Sequence, residues 1–77
     1  MRYYFDLNGA VDQTGTELSG PDAVPREALG LILAVAADKP EAVHDLDLTV
    51  RNQQQRAVYT ASLRLEGQWQ DSEVVRR

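Results

Sequence analysis

The stretch from Pro21 to Pro40, PDAVPREALGLILAVAADKP, is the only part of the chain with a sustained helical period. Set at about 100° per residue, Val24, Ala28, Leu31, Ile32 and Val35 fall on one stripe, flanked by Leu29 and Ala36. A helix with one apolar stripe has to bury it, and the strand-like segments on either side each have an apolar face to cover. The pattern predicts a helix lying across a sheet. Asp22 is the expected N-cap, because Pro25 then falls at the third helical position, where no backbone N–H is needed. A cap at Ser19 would put Pro25 in the helix interior at a cost of about 3 kcal/mol. Pro40 stops the helix, and Lys39 near its end complements the dipole.

Ahead of the helix, Arg2 to Leu7 alternates, with Tyr3, Phe5 and Leu7 on one face and Arg2, Tyr4 and Asp6 on the other. Asn8-Gly9 follows, the favoured pair for a two-residue hairpin turn because both positions need positive φ. The return strand is short: Thr14-Gly15 interrupts it, and Thr16-Glu17-Leu18 resumes it after a bend. Behind the helix, residues 42 to 44 form a connection. Asp45 to Asn52 then places Leu46, Leu48 and Val50 on one face. After the polar turn NQQQR, Ala57 to Leu65 puts Tyr59, Ala61, Leu63 and Leu65 inward, with Val58, Thr60, Ser62 and Arg64 outward. The expected fold is therefore α+β, a two-layer β-β-α-β-β domain with one helix on an antiparallel four-stranded sheet. The domain spans residues 1–67, and 68–77 has no period and reads as a partly ordered tail.

Seventy-seven residues allow one small core, and the chain has no cysteine and a single histidine, His44. Disulfides are excluded and a structural zinc site lacks ligands, which leaves self-association as the natural aid to a marginal domain. No apolar run reaches membrane-spanning length, and MRYYFDL turns acidic too early for a signal peptide, so a cytoplasmic protein is expected. The formal charge of −4 repels phosphate backbones and disfavours general nucleic-acid binding.

RYYFDL at Arg2 to Leu7, the spacing D-x-x-G-x-E-L at Asp12, Gly15, Glu17 and Leu18, and EAL at Glu27 to Leu29 occur together in this order. In this the chain resembles a family of small bacterial proteins, mostly alphaproteobacterial, that carries only a domain-of-unknown-function label. The likeness runs to about Leu65 and implies a bacterial, cytoplasmic protein, with no activity, ligand or catalytic residue attached. Members of that family usually carry charge on the outer helix face, whereas this chain has Gly30 and Ala34 there. More distantly, the element order is similar to the ββαβ core of HicB-type antitoxins, small acidic partners of toxins.

Three constellations bear on function. His44 beside Asp45 suggests acid–base chemistry, yet no nucleophile or metal accompanies the pair, and a solvated histidine at a junction explains it more simply. Asp45 and Asp47, with Asp12, have the charge for a divalent cation but lack a third ligand at a fixed offset. Arg51, Arg56 and Arg64, with Tyr4 and the terminal Arg76 and Arg77, make a minimal nucleic-acid surface; ion pairing of these arginines with Asp47 and Asp6 is the plainer reading.

The outer helix face is the most informative oddity. Arg26, Gly30, Ala34 and Ala37, beside Leu33, leave it mostly small with sparse charge, which suits close approach of a second helix; alanine is also a good surface helix former. The expected function is a non-enzymatic protein-binding or regulatory module acting as a homo-oligomer, without cofactor or metal. The alternative is nucleic-acid binding through the second hairpin. If the tail is separate from the core, deleting residues 69–77 leaves the circular dichroism spectrum and melting point unchanged. An unfolded truncation would show that Trp69 is an anchor.

Overall fold

The computed structural model describes residues 1–39, 44–68 and 70. Strand β1 (Arg2–Leu7) turns through Asn8-Gly9, and after a loop the chain returns as β2 (Thr16–Glu17). A 3₁₀ turn at Pro21–Ala23 leads into α1 (Val24–Asp38), followed by β3 (His44–Arg51) and β4 (Ala57–Leu65). The four strands form one antiparallel sheet in the order β2-β1-β3-β4, and α1 lies over β3 and β4. The α+β architecture expected from the periodicities is the one found.

Each local expectation has a local cause. Asn8 and Gly9 both take positive φ, 49° and 83°, and Leu7 and Ala10 exchange backbone bonds of 3.1 and 2.8 Å across them. This is the tight turn whose twist matches the flanking strands. The helix start differs from expectation by one residue. Pro21 opens a 3₁₀ turn closed by the Ala23 N–H on the Gly20 carbonyl at 3.1 Å, so Asp22 sits inside that turn. Ala23 is the N-cap, without a side-chain bond, and Pro25 takes the second helical position. The first turn still has no use for a proline N–H, so the reasoning holds with the cap displaced.

Tyr3 and Phe5 from β1, Leu46, Leu48 and Val50 from β3, and Val24, Ala28, Ile32 and Ala36 from α1 form the buried core. Leu31, Val35, Tyr59, Ala61 and Leu63 pack around it, half buried. Full burial of a Leu, Ile or Val side chain stabilises by about 1.5–3 kcal/mol, so these few residues hold most of the domain. Three expectations fail, the first being Leu65: expected inward, it is exposed, because it pairs with His44 at the end of the ladder, beyond the core residues. Leu29 does not flank the core but is 57 % exposed, because the stripe continues through Ala36 and leaves Leu29 on the helix flank. Val58 does not face outward with Thr60: the register slips where Val50 pairs with Tyr59 but Arg51 with Ala57. That bulge makes Val58 the extra residue and turns it into a cleft of about 240 Å³ beside Tyr3, Val24 and Pro25.

The expected stop at Pro40 and most of the expected connection at 42–44 and tail at 68–77 lie outside the described residues, but His44, expected in the connection, opens β3 by pairing with Leu65. The register yields a direct test. Leu48→Ala opens a cavity under α1 and lowers stability by about 2–4 kcal/mol in urea unfolding, while Thr49→Ala on the open face changes it far less. The reverse ranking would mean that the strand is turned by one residue.

Candidate functional site

On the sheet face away from α1, Arg51 stands directly opposite Tyr4 and diagonal to Asp6. Its guanidinium grips Asp6 with two bonds, Nε to Oδ2 at 2.7 Å and Nη2 to Oδ1 at 3.0 Å. Nη2 also donates to the Asp12 carbonyl at 3.0 Å, and Nη1 donates to Gln55 Oε1. The same group lies 5.0 Å from the centroid of the Tyr4 ring. Side chains of Asp6 and Arg51 are only 16 % and 18 % exposed, so solvent screens this pair less than a surface bridge.

Asp12 extends the network into the first hairpin. Its Oδ2 accepts the Phe5 N–H at 3.0 Å, and its Oδ1 accepts those of Thr14 and Gly15, each at 3.1 Å. The Asp12 N–H in turn donates to Asp6 Oδ1 at 2.9 Å. Gly15 is required twice over: its φ is +78°, and a Cβ would stand 2.9 Å from both Arg2 Cγ and Tyr4 Cε1. The D-x-x-G spacing is therefore structural, a carboxylate that caps a bend and a glycine that lets the bend close on β1.

The sequence candidates are distributed as follows. Arg51 and Tyr4 come together, but Arg51 is spent on Asp6 and Asp12. Arg64 pairs instead with Asp45 at 3.2 Å and Glu66 at 3.5 Å, and Asp47 takes no arginine among the described contacts. Arg51 faces Ala57 across the ladder, so Arg64 lies about 23 Å further along β4 at 3.3 Å per residue. Arg56 sits in the turn, with its N–H on Asn52 Oδ1. The arginines of the second hairpin do not make one patch, and Arg76 and Arg77 lie outside the described residues.

His44 and Asp45 are neighbours on a strand and point to opposite faces. His44 Nε2 contacts the Lys39 carbonyl at 2.8 Å, while Asp45 holds Arg64. Among the described residues, no three His, Cys, Asp or Glu side chains are grouped to hold a metal ion. Gly30, Leu33, Ala34 and Ala37 are all exposed on α1, and Leu33 is 50 % accessible. Sequence reasoning missed Leu29 as their neighbour, because it assigned that residue to the core edge.

The network sets an acid limit on stability. The Arg51 guanidinium holds the Asp6 carboxyl below its ordinary value of 3.8, with help from the Asp12 N–H and against the cost of burial. The Phe5 N–H does the same for Asp12, joined by the Gly15 and Thr14 N–H groups and opposed by burial and by the Asp6 charge. Both native values lie under the unfolded ones, so their stabilisation is complete above 3.8 and is lost as pH falls through the lowered values. Urea midpoints measured downward from pH 5 fall in that acid range, and the fall is shallower in Asp6→Asn. An equal fall in wild type and Asp6→Asn would remove Asp6 from the effect.

No curated protein and no solved structure matches the chain. Residues 2–64 match the domain of unknown function DUF6894, a span that holds β1 through nearly all of β4 and every residue of the Asp6–Arg51–Asp12 network. This chain belongs to the DUF6894 family.

Proposed function

We propose that this protein is a non-enzymatic protein-binding module of the bacterial cytoplasm that acts as a homo-oligomer. The observation that carries the reading is the uncovered surface of α1. Leu29 and Leu33 are 57 % and 50 % exposed beside Gly30, Ala34 and Ala37, so two large apolar side chains sit on a surface with little charge to keep it apart. A core this small gains proportionately from covering them. The reading is supported further by what the polar groups do: the most enclosed charges, Asp6 and Arg51, satisfy one another and leave little for a substrate. An element order similar to the HicB-type antitoxin core points toward a partner that is itself a protein. The described residues include no helix long and apolar enough to cross a membrane.

Nucleic-acid binding through the second hairpin has less support, since Arg51 is neutralised by Asp6 and Arg64 lies far from it beside Asp45 and Glu66. Sedimentation equilibrium at tens of micromolar tests the leading reading, with the mass of a dimer or higher oligomer expected. Leu33→Glu should lower that mass toward one chain while the circular dichroism spectrum stays native. A wild type that sediments as a monomer at all concentrations overturns the proposal.

A further inference from the structure

We propose that two copies of this chain join edge to edge through β4, antiparallel about a two-fold axis at Ala61, to form one continuous eight-stranded sheet. The proposal rests on the self-association reading above and gives it a geometry and a partner, a second copy.

The two edges of the sheet are unlike. At one edge β2 has two residues, and beyond its reach Asp12 occupies the Phe5 N–H. At the other edge β4 runs for nine residues, and no described strand pairs with its outer side. Long exposed edges in soluble proteins are commonly blunted by lysine, proline or inward charge. The β4 sequence AVYTASLRL has none of these; its one charge, Arg64, points to the open face, and its bulge lies only at the start.

The ladder fixes which backbone groups are free. The Asp47 N–H donates to Asn8 Oδ1, and the Asp47 carbonyl accepts the Asn8 N–H, both at 2.8 Å. Odd-numbered residues of β3 therefore address β1, and even-numbered ones address β4. Leu46, Leu48 and Val50 stand opposite Leu63, Ala61 and Tyr59, so those three bond to β3. Thr60, Ser62 and Arg64 direct their N–H and C=O groups outward.

A second β4 completes them. Ala61 is the midpoint of Ala57–Leu65, so a two-fold there pairs the regular run Tyr59–Leu63 with its copy and leaves the bulge at Val58 outside it. Thr60 then exchanges bonds with Ser62 of the other copy, and Tyr59 faces Leu63, keeping the polar and apolar sides matched. Arg64 lies beyond this run, next to the bulge at Val58 of the other copy, so no like charges oppose. Arg56 before the strand and Glu66 after it, the latter also 3.5 Å from Arg64, bring opposite charges to both ends of the pair.

The helices agree with this placement. Glu27 and Leu31 line a groove with Phe5 and Leu7 on the β1 side, so the opposite flank of α1, which carries Pro25, lies toward β4; Pro25 itself lines a cleft with Val58 and Tyr59 as well as Tyr3. Leu29 and Leu33 follow Pro25 at successive helical turns and share its flank. Strands about 4.8 Å apart put a helix centred over β3 and β4 about 5 Å from the axis. The two helices then run about 10 Å apart, the spacing at which helices pack, with Leu29 and Leu33 between them.

In this register Ala61 faces its own copy at a non-hydrogen-bonded position, with Cα atoms about 4.5 Å apart, within reach of a disulfide. The chain has no cysteine, so Ala61→Cys supplies a single thiol. Mild oxidation should convert that variant to a covalent dimer on non-reducing gels, while Gln13→Cys, in the first hairpin loop, stays single. Ser62→Pro removes an edge donor without touching the β3 ladder, and should give a folded monomer in sedimentation. A wild-type dimer in which Ala61→Cys does not cross-link overturns this geometry and leaves self-association standing, as does a Ser62→Pro protein that is folded and still dimeric. A monomeric wild type overturns both. Should Ser62→Pro fail to fold, the cross-link alone decides.

Discussion

The bidentate pair between Asp6 and Arg51 joins strands 45 residues apart in the chain, and most of the remaining structure depends on that closure. Bringing such distant segments together costs about 3 kcal/mol in loop entropy. The pair and the apolar neighbours it brings into register offset that cost. With Arg51 on Asp6, Phe5 falls opposite Val50 and Leu7 opposite Leu48, the residues that α1 covers. The polar and apolar faces of β1 and β3 thus specify the same alignment, a consistency expected of a sequence with one preferred fold.

Asp12 resolves a second difficulty. β1 is a central strand, yet its hairpin partner is only two residues long, which would leave the Phe5 N–H without a neighbour. The Asp12 carboxylate takes the place of the missing strand and at the same time caps the bend at Thr14 and Gly15. Its backbone is held by Asp6 through the N–H and by Arg51 through the carbonyl. One short loop is thereby fixed to both inner strands, and Gly15 is the residue small enough to let it lie there. In this way one edge of the sheet is closed by a carboxylate while the other remains open along β4.

Much of this was legible in the sequence. Asn8-Gly9 announces its turn through the φ it demands, and Leu46-x-Leu48-x-Val50 announces a half-buried strand through its period of two. Asp12 and Gly15 read as a bend for the reason that they form one. What escaped detection depended on tertiary partners. Nothing local says that β3 pairs with β1, so the strand order and the choice of Asp6 as partner for Arg51 were open between several carboxylates. The bulge at Val58 is a property of the β3–β4 register, and a strict alternation carried through it assigns Val58 to the wrong side. Leu29 was misplaced because the apolar stripe of a helix is wider in sequence than the face the sheet can cover. The surface that sequence reasoning proposed for association, Gly30, Leu33, Ala34 and Ala37, lacked for that reason its most exposed apolar member.

The closure of β1 on β3 by Asp6 and Arg51 is best measured by a double-mutant cycle of Asp6→Asn and Arg51→Met in urea unfolding at neutral pH. Because the pair is bidentate and mostly shielded, the coupling should be about 1.5–3 kcal/mol, as for hydrogen bonds between charged groups. Additive single variants, with coupling near zero, would show that the apolar register alone holds the two strands together and would contradict the account.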